Sequence, residues 1–524
     1  MRKFLMASAA TLGAVGMVGA ASAQPAPAPA PNYLEGQVIS TPNPTPPAFA
    51  NTNNSYQAAA LPGAVAVPTP GTFVVKLNAA VVVEAAVSGS TFNAYTQAAA
   101  ATTAVTSGAG AGAVAFGPTA GTYKQNPQTF YSYVRIYPGV DAMATNGLRY
   151  GAQVELRENW ASTTITGGTI NSSSASAESS TQTMFVRRAF VYVASDKVGI
   201  IRFGQGDTVM GIFDNGVTTF QSVSPSGGMN GSDVQTPLPQ NTVVPFPFYA
   251  QNGIDYSNQK IVYLSPQFAG FDIGLEYAPS NSNAEQMGGI CTNGVTANPA
   301  ALGVSGVNAT NCTSLSSSPT TTDAIRYTNQ YQVGLRYQGT FGPVAVLAHG
   351  AYMGSGIVDY TGSQAAGTVG AKGGSLWNGK YQGLSIGQGG VALTVAGLTF
   401  GGIVNGGKMN NNGQGTPDPV GGANQIAYLL GFQYNYGPYS VGFGYEHVDS
   451  QGSAALVGVT QRHEWGLNPS FDWLVAPGFK VFAEYWYGQR AQSDFNFATG
   501  SAGGGSAYNQ VQSQSFMLGT RVYW

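Results

Sequence analysis

Charged residues are scarce in this sequence. Asp, Glu, Lys and Arg together make up 8% of its 524 residues, against roughly 25% in soluble globular proteins. The 21 Lys and Arg residues nearly balance the 23 Asp and Glu residues, so the composition gives no sign of a nucleic-acid partner. A soluble chain of this length would normally form several domains. So few charges instead favour one large structure that exposes little charge to water.

Cysteine, histidine and long apolar runs are also scarce. The only cysteines, Cys291 and Cys312, lie close together in one polar stretch. In an exported protein they are expected to form a disulfide. The three histidines lie elsewhere, so a structural zinc site is excluded, and no metal or other cofactor is expected. After the N-terminus no uncharged apolar run is long enough for a transmembrane helix.

Glycine, aromatic residues and small polar residues are abundant. Glycine accounts for 72 residues and aromatic residues for 11% of the chain. Tyr and Phe favour strands, whereas Gly, Ser and Asn favour the turns and loops between them. The composition therefore predicts an all-β protein with many short strands.

The N-terminal part predicts export. Residues 1–23 have a charged start, an apolar core and an Ala-Ser-Ala cleavage pattern, which together are typical of a secretory signal peptide. Residues 24–70 are rich in Pro, Ala and Asn and are expected to form an extended periplasmic lead-in. Residues 71–524 are then expected to form the folded part of the protein.

The C-terminal stretch indicates which kind of β structure this is. Over residues 513–524 apolar side chains alternate with small or polar ones at a period of two, with Phe516 and Leu518 on one face and Arg521 on the other. A membrane-spanning strand requires this pattern because one face contacts lipid and the other a wet lumen. We expect this strand to pair with the first one, since an open edge is not tolerated in lipid.

Sixteen such strands are predicted. Their bounds are 72–87, 129–144, 148–158, 183–194, 198–205, 253–264, 271–277, 326–337, 344–352, 381–395, 398–405, 426–436, 439–448, 461–474, 479–490 and 513–524. Seven short turns alternate with eight longer polar connections, including a loop-like stretch at 88–128. Outer-membrane barrels have this asymmetry, with turns in the periplasm and long loops outside. A soluble sandwich is the alternative, but aromatic residues near the strand ends favour the interfacial girdles of a transmembrane antiparallel β-barrel.

Charges at inward positions predict a constriction in the barrel. The basic members are Lys76, Arg135, Arg149, Arg157, Arg187 and Arg202. Arg188, next to Arg187, is expected on the opposite face, at a rim or a subunit interface. Loop carboxylates facing arginines across a narrow passage would create a transverse field that orders water and favours polar or ionic solutes. The alternative is that these charges are unrelated and each is solvated or locally paired.

The acidic side of the constriction is predicted in the third long connection, residues 206–250. It contains Asp207, Asp214 and Asp233, the first two among apolar residues. A solvated loop would rarely carry so much apolar surface, so we expect this loop to fold into the lumen against the barrel wall. An ordinary external loop with local packing is the alternative.

Several motifs resemble those of the general-diffusion porins of Gram-negative outer membranes, most nearly the alphaproteobacterial type. They are RIYPGVD at 135–141, NGLRYGA at 146–152, IRFGQ at 201–205, GIFDNG at 211–216, the SPQFAG turn at 265–270 and the aromatic terminus. The resemblance covers about residues 70–524. It implies a sixteen-stranded barrel, usually a homotrimer, with the third loop narrowing the pore opposite an arginine cluster. It also implies passive diffusion of small hydrophilic solutes and ions.

The same resemblance implies where the protein is located and how it is inserted into the membrane. It would lie in the lipid of the outer membrane, inserted by the barrel-assembly machinery. Trp524 stands where Phe is usual in the family, and it would serve as the terminal assembly signal.

Three other functions were weighed against a diffusion pore. A catalytic barrel would need a Ser/His/Asp-like constellation. This sequence has no G-x-S-x-G motif, and the adjacent His463 and Glu464 point to opposite faces of their strand, so no enzyme is expected. A channel selective for a sugar or a carboxylate stays open because Tyr131, Tyr133 and Tyr137 have the inward phase of one strand. A non-conducting structural barrel would have a filled lumen, which sixteen strands are expected to leave open.

Overall fold

The computed structural model of the protein describes most of the predicted strands and the short turns. The described residues are 68–91, 94–97, 121–124, 127–158, 184–195, 197–213, 259–280, 327–357, 382–409, 418, 421–452, 456, 461–497, 501–502 and 509–524. The predictions for residues 1–67 and for Asp214, Asp233, Cys291 and Cys312 lie outside these residues.

These described residues form twenty strands and one short helix, α1 (Val209–Ile212). The strands are β1 (Thr72–Ser90), β2 (Ala94–Gln97), β3 (Gly121–Lys124), β4 (Gln128–Met143), β5 (Arg149–Glu158), β6 (Met184–Ser195), β7 (Gly199–Gln205), β8 (Gln259–Leu264), β9 (Phe271–Ser280), β10 (Tyr327–Phe341), β11 (Val344–Ile357), β12 (Ser385–Val395), β13 (Leu398–Lys408), β14 (Gln425–Tyr436), β15 (Tyr439–Ser450), β16 (Arg462–Ala476), β17 (Phe479–Gln492), β18 (Phe495–Asn496), β19 (Ser501–Ala502) and β20 (Gln510–Tyr523). Among these residues no helix is both long and apolar enough to span a membrane.

Sixteen of the strands form one closed antiparallel barrel. β4 to β17 follow one another around the wall, and β1 and β20 complete it. β1 pairs with both β4 and β20, so the sheet has no open edge. At the end of the closing ladder Ala79 and Trp524 exchange two backbone hydrogen bonds of 3.1 Å. The predicted sixteen-stranded barrel, closed by the terminal strand, is confirmed.

Two short hairpins lie outside the barrel sheet. β2 pairs with β3, and β18 pairs with β19. The first hairpin falls within 88–128, so the prediction that this whole stretch is loop was wrong for the two strands. Each has only four residues and shows no clear alternation of apolar and polar side chains, which explains why the sequence pattern did not indicate them.

The outer face of the barrel is apolar, as the alternation predicts. In β20 Phe516 and Leu518 are 49% and 52% exposed, whereas inward-facing Arg521 is 7% exposed. Aromatic pairs lie near both ends of the strands on this face. Tyr439 and Trp473 have ring centroids 6.2 Å apart near the short turns. This is the position at which interfacial aromatic residues anchor a membrane barrel.

The inner face combines charged side chains with one apolar cluster. Most charged residues of the strands point inward and are buried. The apolar cluster includes Leu429, Val448, Phe482, Trp486 and Met517, all of them at most 1% exposed. The inner wall therefore has chemically distinct regions.

Candidate functional site

The third long connection turns into the barrel directly after β7. Residues 206–213 are all buried, and they contain α1. Thr208 caps this helix, since its hydroxyl accepts a hydrogen bond from the backbone N–H of Gly211 at 3.3 Å. A Thr at this position satisfies one of the N–H groups that a helix start leaves without a partner. The prediction that the third loop folds into the lumen is confirmed for this segment.

Two glycines in the barrel wall make room for α1. Gly274 of β9 and Gly334 of β10 lie opposite each other in the ladder. A Cβ atom added at Gly334 would lie 2.6 Å from Val209 Cγ1 and 2.9 Å from Phe213 Cδ2, and one added at Gly274 would lie 2.7 Å from Val209 Cγ1. Side chains of the loop therefore occupy the space that any larger wall residue would fill.

Polar wall residues on either side of these glycines hold the start of α1. The backbone N–H of Val209 donates to Glu276 Oε2 at 2.9 Å, and that of Met210 donates to Gln332 Oε1 at 2.9 Å. Lys260 Nζ donates to the carbonyl of Gly206 at 2.8 Å. These three contacts tie the loop backbone to the wall.

The end of α1 is held by a wall arginine. Arg336 Nη1 donates to the carbonyl of Ile212 at 3.4 Å, and its guanidinium lies 4.7 Å from the centre of the Phe213 ring. Asp272 neutralises this arginine at 3.0 Å. The loop is therefore anchored at both ends of its helix.

Sequence reasoning missed this anchor, although the sequence contains a signal for it. β9 carries Asp-x-Gly-x-Glu at 272–276, and β10 carries Gln-x-Gly-x-Arg at 332–336. Both are polar–Gly–polar patterns at a period of two, and the ladder places them side by side. A glycine between inward polar residues on two adjacent strands marks a place where another segment approaches closely.

A cluster of arginines surrounds one carboxylate close to the loop. Glu155 accepts from Arg157 Nε at 2.5 Å and from Arg187 Nη1 at 3.0 Å, and it also pairs with Arg188. Arg188 in turn donates from Nε to Asp207 Oδ1 at 2.9 Å. This arginine cluster, defined by the residues around Glu155 and Asp207, links the wall to the start of the third loop.

The prediction that Arg188 faces a rim or a subunit interface was wrong. Arg187 and Arg188 are 3% and 1% exposed, and both reach Glu155 inside the barrel. In the β5–β6 ladder Glu155 pairs with Arg188, but Leu156 pairs with Val186. Arg187 is thus the extra residue of a β-bulge, which interrupts the strict alternation on which the prediction relied.

Two more of the predicted basic residues lie on neighbouring strands. Arg135 pairs with Arg157 in the β4–β5 ladder and lies 4.6 Å from the ring centre of Tyr133. Arg202 of β7 lies 5.0 Å from the ring centre of Phe190. Both arginines are buried and face inward. Each guanidinium lies against the face of a neighbouring aromatic ring, which attracts a cation electrostatically.

The remaining two predicted basic residues belong to a separate group near the short turns. Asp141 accepts from Arg149 Nε at 2.8 Å and from Tyr192 Oη at 2.6 Å, and Lys76 Nζ lies 3.6 Å from its carboxylate. Arg149 is the first residue of β5, directly after the turn. The six predicted basic residues therefore lie inward as expected, but Lys76 and Arg149 surround a different carboxylate.

Several solved structures of outer-membrane proteins are similar to the chain at low identity. OmpF of Salmonella typhi, in complex with daunomycin, is 11% identical with a TM-score of 0.45, over 86% of this chain and 97% of that one. OmpT of Vibrio cholerae is 12% identical with a TM-score of 0.43, over 88% of this chain and 100% of that one. A mutant of the Rh. blastica porin is 13% identical with a TM-score of 0.40, over 86% and 100% of the two chains. These likenesses are too distant to carry an argument.

Family membership is decided by the sequence. No curated protein matches the chain. The model of the Gram-negative porin family, however, matches residues 79–493, which span fifteen of the sixteen barrel strands and the inward third loop. The chain belongs to the Gram-negative porin family, and its closed barrel is that of an outer-membrane channel for passive diffusion.

Proposed function

We propose that this porin passes small hydrophilic solutes and ions, and that the anchored third loop and the arginine cluster bonded to it line the narrow part of the pore. The observation that carries this proposal is the anchoring of α1 to the inner wall, with Asp207 bonded to Arg188 at 2.9 Å. A loop fixed inside the barrel reduces its cross-section. The ionic groups beside it then set which solutes pass.

The described charges favour anions at this narrow part. The ionic groups are Arg135, Arg157, Arg187, Arg188 and Arg202 against Glu155 and Asp207. Five positive and two negative groups leave a net charge of +3. Asp214 and Asp233, which stay predicted members of the constriction, would lower this to +1. The narrow part is positive in either case, and a positive pore attracts anions.

The reversal potential of the open channel under a salt gradient tests this charge balance. We expect the wild-type channel to prefer chloride over potassium, and Arg202→Gln to weaken that preference. Lys197→Gln is the matched control, because Lys197 is exposed in the turn between β6 and β7, outside the lumen. A cation-selective wild-type channel, or equal shifts in the two variants, would contradict the proposal.

A substrate-selective channel for a sugar or a carboxylate is the second candidate. Tyr133 and Tyr137 are each 3% exposed on the inner face of β4, and aromatic residues there would stack on a sugar ring. The side chain of Tyr131 lies outside the described residues. Such a channel would show a small conductance that one sugar or carboxylate blocks at saturation. We propose no enzymatic activity, in keeping with a family of channels.

Biogenesis and assembly follow the family pattern in this proposal. Residues 1–23 would be a cleaved signal peptide and 24–70 a periplasmic lead-in. The barrel-assembly machinery would recognise the terminal strand with Trp524, and three copies would associate in the outer membrane. A disulfide between Cys291 and Cys312 would close a loop. Mass spectrometry of the mature chain and its native complex tests the cleavage site, the disulfide and the number of copies.

A further inference from the structure

The last long connection, between β17 and β20, carries two buried phenylalanines. Part of this connection forms the small hairpin in which β18 pairs with β19. Phe495 and Phe497 are 6% and 1% exposed, and their rings meet edge to face with centroids 4.8 Å apart. We call residues 495–497 and 501–502 the mouth hairpin.

Both rings pack against side chains of the inner wall, at the end of the barrel away from the short turns. The guanidinium of Arg462, the first residue of β16, lies 5.0 Å and 5.5 Å from the ring centres of Phe495 and Phe497. That of Arg490 lies 5.6 Å from the ring centre of Phe497. Val511 of β20 belongs to one buried apolar cluster with both rings. These wall residues are buried, whereas the residues next to them in their strands lie on the outer face. The mouth hairpin therefore lies inside the barrel mouth.

Hydrogen bonds fix the base of the mouth hairpin. Arg462 Nε donates to Gln492 Oε1 at 2.8 Å, and the amide of Gln492 donates to the carbonyl of Gln451 at 2.9 Å. The backbone N–H of Gln492 donates to the carbonyl of Asn509 at 3.0 Å. Gln451 Oε1 in turn accepts from the backbone N–H of Ala423 at 2.8 Å. Residues of three outer connections are thus tied together beside the mouth hairpin, which keeps it in place.

The mouth hairpin and α1 enter the barrel from nearly opposite walls. α1 packs on β9 and β10, whereas the mouth hairpin packs on β16, β17 and β20. In the closed order of the barrel strands β17 lies seven places from β10, and eight places would be diametrically opposite. Packed layers of β structure lie about 10 Å apart, so the mouth hairpin takes up about that width of the opening. The passage is therefore reduced from two sides.

We propose that the mouth hairpin limits the size of the solutes that enter this porin. Its two rings and its base are fixed to the wall, so it keeps its place while solutes pass. Asn496 lies between the two phenylalanines, and strand alternation points its side chain away from the wall, where it offers solutes a polar surface. This proposal rests on the proposed channel function. It adds a determinant of solute size to the charge selection by the arginine cluster.

Swelling of proteoliposomes in sugars of increasing size tests the proposal. The measured quantity is the fall in swelling rate from arabinose through sucrose to raffinose. Phe495→Ala combined with Phe497→Ala removes both rings from the wall, so the mouth hairpin should be released and the fall should become shallower. Phe268→Ala combined with Phe341→Ala is the matched control, because these rings are 84% and 63% exposed near the short turns, and it should show the wild-type fall.

A second variant should have the opposite effect and leaves the packed rings in place. Asn496→Trp adds bulk on the side of the mouth hairpin that faces away from the wall, so the fall in swelling rate with sugar size should become steeper. Gln512→Trp is its matched control at the same end of the barrel, because Gln512 is exposed on the outer face of β20. This control should again show the wild-type fall.

The dependence on sugar size separates a size limit from a general loss of function. A wild-type fall in the double variant without the two rings, or in Asn496→Trp, would overturn the role of the mouth hairpin and leave the channel function in place. If the double variant does not fold, Asn496→Trp decides alone. Wild-type vesicles that do not swell even in arabinose would instead contradict the channel function, and this proposal with it.

Discussion

A single methyl group added at Gly334 should dislodge α1 from the inner wall. The new Cβ atom would lie 2.6 Å from Val209 Cγ1 and 2.9 Å from Phe213 Cδ2, whereas ordinary contacts begin at 3.4 Å. The closer of the two contacts is therefore about 0.8 Å too short. Because Val209 is held by its own backbone hydrogen bond to Glu276 at 2.9 Å, the clash has to move the helix rather than one side chain.

The expected loss of stability in Gly334→Ala follows from overpacking of the interior. Adding a methyl group to a filled interior typically costs about 1–3 kcal/mol, and we expect Gly334→Ala to lower the free energy of unfolding by that amount. Gly350→Ala is the matched control on β11, since its Cβ would have nothing within 4 Å. Its change in stability should stay within about 0.5 kcal/mol.

Denaturant unfolding of the refolded barrel in detergent micelles measures both variants. A double variant sharpens the test, because Val209→Ala removes the methyl groups that the new Cβ would meet. Gly334→Ala should therefore cost less in the Val209→Ala background, where only the contact with Phe213 remains, with a coupling of about 0.5–3 kcal/mol. Strictly additive losses would refute the packing of α1 against Gly334.

Two other substitutions test buried carboxylates. Glu155→Gln leaves three arginines without their shared carboxylate, so denaturant unfolding should show a loss of about 3–5 kcal/mol in the free energy of unfolding. The reversal potential of the channel should also shift further toward anion selectivity. An unchanged reversal potential would argue against a constriction at Glu155. Burial raises the pKa of Asp418, in the β13–β14 connection, from 3.8 to about 7. The folded protein therefore retains a proton there that the unfolded chain has lost, and stability should fall as the pH rises from about 4 to 7. Thermal unfolding across this range should show a smaller fall in Asp418→Asn, and an identical fall would contradict the assignment.

The barrel was predictable from the sequence because a lipid environment permits few alternative arrangements of β-strands. A strand with lipid on one face and water on the other has to alternate, as β20 does from Phe516 to Val522. Backbone groups that lipid cannot satisfy force the sheet to close. Alternation, short turns and long loops therefore specify all sixteen strands without knowledge of any side-chain contact.

The details of the candidate site depend on strand register, which alternation alone does not specify. Arg188 was assigned to the wrong face because one extra residue at Arg187 shifts the ladder. The anchor of the third loop was missed because Gly274 and Gly334 have meaning only when they lie side by side. A one-residue change in register would remove each of these features.

Single-channel recording in a planar bilayer tests the central claim most directly. The purified, refolded protein should insert and show large, stable conductance steps, because a sixteen-stranded barrel narrowed but not closed by an anchored loop leaves an aqueous path. If three copies associate, the steps should appear in groups of three. A correctly folded barrel with no conductance would contradict the diffusion channel and leave a structural role for this protein.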